Sequence, residues 1–200
     1  MKKYNIINNL PIGLDFYNYD KKKVKLYSDW FVNNKLIRVE ELTHVIVADT
    51  QFKTWRPDYS EESLTLLSHW FLNNVERELL SENEYEEKKT SFSSEIHVEN
   101  WDLSLATYSK IMDVGIYLGD TMIFNNKDLK WEQYTKNKRE NNYGHMVIKI
   151  RNLEMNPIWL IYILAIKIAK GVRKENGILE IYQIWCNILK DPDWTQKQIK

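Results

Sequence analysis

Asp113 and Asp120 lie seven residues apart within "MDVGIYLGDTMIFNNKDLKW", and Glu132 follows that stretch. Seven residues are nearly two helical turns, so on an unbroken helix the two aspartates share a face. With Glu132 on a following strand they would form an acidic cluster, of a kind that binds a hard cation or divides acid and base roles. A plainer reading competes. Gly115 and Gly119 permit close packing of a neighbour, Gly119 is placed to end the helix, and Asp120 then binds backbone groups at that end. A joint between helix and sheet is the preferred reading, and a site the second.

The other reactive side chains form no constellation. His44, His69, His97 and His145 are scattered, and none stands at i, i+4 from a partner in a metal-ligand motif. HExxH, Walker A, GxGxxG and GxSxG patterns are absent. His145 follows Gly144 beside an expected strand, where it either faces a cleft or is a satisfied polar residue; the second is preferred. Ser60 and Ser63 belong to a helix start. Cys186 is the single cysteine, so there is no internal disulfide or cysteine zinc cluster, and it reads as a buried small hydrophobe.

Charge is balanced overall, 28 basic against 28 acidic residues, which argues against a general nucleic-acid binder. The balance hides segregation. Between Glu76 and Glu99 stand eight Glu against Arg77, Lys88 and Lys89, while Lys136, Lys138, Arg139, Lys149 and Arg151 face Glu140 alone further on. Such patches either steer a partner or are two solvated surfaces. The stretch "KNKRENNYGHMVIK", with Tyr134 and Tyr143 nearby, has basic and aromatic residues as a single-strand binder would, but its shortness favours a solvated hairpin loop. Eight Trp and twelve Tyr supply many anchors for core and interface. The N-terminus lacks the apolar core of a signal peptide, and "PIWLIYILAIKIA" is about two-thirds of the ~20 residues a bilayer requires. A soluble cytoplasmic protein is expected.

The elements that must position these residues read as follows. Residues 1–20 form an extended lead-in. Val24, Tyr27, Trp30 and Phe31 have helical spacing, a second apolar set follows at Leu36, Val39 and Leu42, and "HVIVAD" suggests a short strand. In "PDYSEESLTLLSHWFLNNVERELL", Asp58 or Ser60 caps a helix that buries Leu64, Leu67, Phe71 and Val75. "SENEYEEKKTSFSSE", within residues 81–99, breaks the pattern and reads as a mobile surface segment. Asp102 is placed to cap the helix that carries Asp113. "TMIF", "LKWEQY" and "HMVIKI" read as strands, the first two joined by the turn "NNKD". Asn156, Pro157 and Gly171 bound a helix apolar nearly all round, expected to be the central one. A last amphipathic helix turns Ile178, Ile181, Trp185 and Ile188 inward, and Pro192 stops it. The expected fold is a single α+β domain over residues 1–200, mainly helical, with a small antiparallel sheet in the middle region.

Two stretches carry a resemblance. "PDYSEESLTLLSHWF" and "DVGIYLGDTMIFNNKDLKWE", with "NYGHMVI" downstream, resemble a group of small cytoplasmic proteins of low-GC Gram-positive bacteria. That group shows a "DYS..SL..L..W" helix and then "D.G.Y.GE.....N..L.W". The likeness spans roughly residues 55 to 150, and this chain has Asp120 where the pattern has Glu. Some members resemble immunity proteins of polymorphic toxin systems. The resemblance implies no cofactor and no catalytic residue.

The leading expectation is therefore a non-enzymatic immunity protein that neutralises a cognate toxin by direct contact, an acidic surface covering the basic substrate site of a nuclease. Its contact residues are expected to be Glu82, Glu84, Glu86 and Glu87, with Asp113, Asp120 and Glu132 as a second acidic group. No metal, cofactor, nucleic-acid or membrane partner is expected, and a homodimer is open. The alternatives are a metal-dependent hydrolase built on Asp113, Asp120 and Glu132, and a structural or oligomerising module.

Overall fold

The computed structural model describes residues 4–93, 95–172, 174–191 and 193–194. The lead-in is extended, with one 3-10 turn at Phe16–Asn18. Asp20 then accepts a hydrogen bond from the Lys23 amide at 2.8 Å and starts α1 (Lys21–Ala48). This helix buries Val24, Tyr27, Trp30, Phe31, Val39, Leu42 and Ile46, while Leu36 faces solvent. The strand expected at "HVIVAD" is absent: Leu42 and Ile46 continue the burial of Val39 at helical spacing, and that packing overrides the local β preference of Val and Ile.

Ser60, not Asp58, caps α2 (Glu61–Asn74), its hydroxyl accepting from the Ser63 amide at 3.0 Å; Asp58 in turn holds the Ser60 hydroxyl at 2.6 Å. Leu64, Leu67, Trp70 and Phe71 are buried, and Val75 is half-buried. Strands β1 (Arg77–Leu79) and β2 (Trp101–Leu103) pair antiparallel, Arg77 opposite Leu103 and Leu79 opposite Trp101. Between them sits α3 (Glu82–Thr90), a helix inside the segment expected to be irregular. Its capping box explains the difference. Ser81 accepts from the Glu84 amide while the Glu84 carboxylate accepts from the Ser81 amide, closing a first turn that hydrophobic periodicity does not announce.

Ser104 caps α4 (Leu105–Asn125), and Asp102 lies in the middle of β2. Helix α4 runs through Gly119 to Asn125, so "TMIF" is helical and "NNKD" leads from helix to sheet. Residues 111–122 are buried without a break. α4 is therefore the central helix, and α5 (Pro157–Ala169) is not; α5 fully buries Pro157, Ile161, Leu164 and Ala165 but exposes half of Trp159. The polar side chains of α4 disguise its position in the sequence. β3 (Trp131–Gln133), β4 (Met146–Ile150) and β5 (Leu153–Met155) form an antiparallel sheet in that order, Trp131 opposite Ile148 and Ile148 opposite Met155. Asn156 caps α5 with Pro157 in the first turn, and Gly171 takes φ +88° after its end, as the sequence leads one to expect. In α6 (Gly177–Lys190), Ile178 and Ile188 are buried, with Ile181 and Trp185 packed against the core. Pro192 lies outside the described residues. The fold is α+β, mainly helical, with two small antiparallel sheets. Among the described residues, no helix is long and apolar enough to cross a membrane.

Candidate functional site

Because α4 is continuous, Asp113 and Asp120 do share a face, and that face meets α1. Arg38 grips Asp113 with two parallel bonds, Nε to Oδ1 and Nη2 to Oδ2, both 2.7 Å. The Tyr4 hydroxyl donates to the same Oδ2. Lys35 Nζ reaches both Asp120 oxygens at 2.9 Å, and the Trp131 indole N–H donates to Oδ1 at 2.8 Å. The pairs run in opposite order along the two helices, so α1 and α4 pack antiparallel. Asp113 is 0% exposed. Burial pushes its carboxyl above the ordinary carboxylate range, against the pull of the Arg38 guanidinium and the Tyr4 hydroxyl.

The glycines complete the joint. A Cβ on Gly119 would lie 2.1 Å from the Trp131 ring, and one on Gly115 would lie 2.7 Å from Ile158 Cα. Gly119 thus makes room for the indole that holds Asp120, and Gly115 lets the first turn of α5 settle on α4. Asp120 does not bind the end of the helix, since the helix does not end there. Glu132 stands apart, half its side chain open and its carboxylate 3.1 Å from Lys130. Among the described residues, no group of three His, Cys, Asp or Glu is placed to hold a metal ion. The expected second acidic group is not brought together: Asp113 and Asp120 are closed off inside the α1–α4 interface, where a partner does not reach them. Sequence reading missed Tyr4, Lys35 and Arg38. Lys35 and Arg38 stand three apart on α1 against acids seven apart on α4, so no spacing in the sequence marks the pairing.

The first acidic group has a different setting. No residue of α3 is buried, and Glu82, Glu84, Glu86 and Glu87 are all exposed. Glu84 serves the capping box and Glu86 pairs with Lys89 at 2.9 Å; the Glu82 and Glu87 carboxylates have no hydrogen-bond or ion-pair partner among the described residues. α3 is attached by Lys88, whose Nζ donates to the Trp101 carbonyl at 2.8 Å, and by the Tyr85 hydroxyl on the Val98 carbonyl. Glu78 and Asp102 stand opposite each other across the β1–β2 ribbon, with Asp102 paired to Lys88 at 3.5 Å. Leu79, Phe92 and Ile96 are exposed in the same region, and Phe92 and Ile96 line an open hollow with Tyr85. An acidic surface with apolar side chains set in it is the result.

A third feature lies on another part of the fold. His145, on the loop that enters β4, stands between two adjoining cavities, and its ring packs edge-on to Phe16 at 4.8 Å. Its imidazole makes no hydrogen bond to a described residue, and burial pushes its pKa down to about 4. Of the two readings the sequence allowed, the structure shows the cleft. The lead-in forms one wall of the apolar cavity through Ile7, Leu10 and Leu14. It is pinned by the Ile7 amide on Ser109 Oγ at 3.0 Å and by Arg38 Nη1 on the Asn5 carbonyl at 2.9 Å. Cys186 is half-buried, its sulfur 3.9 Å from that of Met122, and burial raises its thiol, the opposite of an activated nucleophile.

No protein-family model, curated protein or solved structure matches the chain.

Proposed function

We propose that the protein is a non-enzymatic binding protein, an immunity protein that neutralises a cognate bacterial toxin by direct contact through the surface around α3. The observation that carries this reading is a helix with no buried residue, started by a capping box and kept beside an antiparallel ribbon by Lys88 and the Tyr85 hydroxyl. A helix of nine residues is marginal in water without tertiary packing. It adds nothing to the core, so its contribution is the surface it presents. That surface combines free carboxylates at Glu82 and Glu87 with exposed Leu79, Phe92 and Ile96, the mixture of charged rim and apolar anchor that binding interfaces use. Carboxylates there complement a cationic substrate site such as a nuclease toxin has, and long-range attraction speeds the encounter.

The contact set is thereby narrowed to Glu82, Glu84, Glu86 and Glu87 with their apolar neighbours. Asp113 and Asp120 act from inside, by fixing α1 on α4. The test is genetic. The protein is used to capture a stoichiometric partner from its own organism, and the partner is then expressed alone and together with this chain. Growth arrest by the partner alone, relieved by co-expression, is the expected result. A partner that is harmless alone would overturn the immunity reading while leaving a binding role in place.

A further inference from the structure

The two cavities that meet at His145 differ in chemistry. One, of about 440 Å³, is an apolar chamber between the lead-in, α4 and the start of α5, with Ile7, Leu10, Ile111 and Met112 among its walls. The other, of about 1060 Å³, is more polar and carries Lys138 and Arg139 at its mouth; both cavities open outward. Leu14, His145 and Trp159 line both, so the two spaces adjoin along these side chains. Ligand pockets have this size and this division, an apolar body with a few polar groups that orient what enters.

The charges at the mouth are unequally committed. Glu140 accepts from the Tyr134 hydroxyl and from Asn137 at 3.0 Å, and Glu154 faces Lys136 at 3.8 Å. Lys138 and Arg139 have no acidic partner among the described residues. Asp15 is the lining carboxylate with neither a side-chain hydrogen bond nor an ion pair among the described residues. Glu140 and Glu154 are turned to partners of their own, which leaves Lys138 and Arg139 as the lining cations open to pair with an anion. At the neck, a neutral imidazole offers one donor and one acceptor, which suits an uncharged polar group such as a hydroxyl, ester or amide.

We infer that the adjoining cavities bind a small amphiphile, its alkyl or aryl body in the chamber and its anionic head between Lys138 and Arg139. The assignment does not depend on the α3 surface. It is tested on the full chain by calorimetric titration with octanoate, decanoate and dodecanoate, and with dodecanol as the uncharged comparison. One molecule should bind per chain, with affinity rising about fourfold per added methylene until the chamber is filled. Dodecanol should bind at least tenfold more weakly than dodecanoate. The double variant Lys138→Gln, Arg139→Gln alters two exposed side chains with no structural partner, so it should keep the melting temperature of the parent while weakening dodecanoate about tenfold. Absence of binding, equal binding of dodecanol, affinity indifferent to chain length, or a double variant that binds as the parent does would each overturn the assignment.

Discussion

Asp113 carries a charge that solvent does not reach, and Arg38 and Tyr4 are the partners that hold it. Removing one partner of such a pair leaves the other buried and uncompensated, at a cost of about 3–5 kcal/mol. Asp113→Ala is therefore expected to lower unfolding free energy by roughly 4 kcal/mol in urea titration. The double change Asp113→Leu, Arg38→Met should cost clearly less, because neither charge then remains. Equal losses in the two variants would mean that the pair is not the source of the effect. His145 gives a prediction in pH. Its folded pKa, about 4, lies below the ordinary histidine value of 6.5, so the unfolded chain binds the proton more readily. The stability it contributes is complete above pH 6.5 and is lost as pH falls toward 4, about 2 kcal/mol of it by pH 5. Asp15, Lys138, Arg139, Glu140 and Glu154 line the same cavity and Tyr108 and Tyr162 the chamber, so the measured quantity is the difference between parent and His145→Gln. Parallel stability–pH curves for the two would contradict the assignment.

At the scale of elements, the sequence is most legible where local chemistry decides. The caps Ser60 and Asn156, the glycine at 171 and the strands around Trp131 and Met146 lie where turn and capping residues place them. It is least legible where distant packing decides. The cations that pair with the two aspartates are 75 and 85 residues away, and local spacing does not reveal them. The last turns of α1 and α4 look β-like because Val, Ile, Thr and Phe crowd there, yet burial of one helical stripe holds both as helix. α3 escaped hydrophobic periodicity because it buries nothing; its signature was the pair Ser81 and Glu84. Two consequences follow at this scale. Gly119→Ala should destabilise by about 2 kcal/mol despite better helix propensity, since the added methyl meets the Trp131 ring. Unchanged stability together with unchanged Trp131 fluorescence would refute that packing. Ser81→Ala should remove about 1 kcal/mol from a helix with little other support. Amide exchange across residues 82–90 should rise while the protection of α4 stays as it was; protection that survives in α3 would show that something other than the cap holds it.

At the scale of the molecule, the charges lie on unlike surfaces: carboxylates around α3, and the free cations Lys138 and Arg139 at the mouth of a cleft. The buried acids belong to neither surface. They fasten α1 to the central helix and, through Arg38, the lead-in that walls the cleft. The sequence pointed to acidity as the basis of recognition, and the structure divides that acidity between a joint and an exposed ridge. The most direct measurement of the central claim is parallel capture from lysate of the protein's own organism, with the parent chain and with a Glu82→Lys, Glu86→Lys, Glu87→Lys variant. All three side chains are exposed, and Glu84 is left to its cap. The account predicts one stoichiometric partner, toxic when expressed alone, that the parent retains at moderate salt and the variant loses by at least tenfold. No partner, or a partner retained equally by both chains, would contradict it.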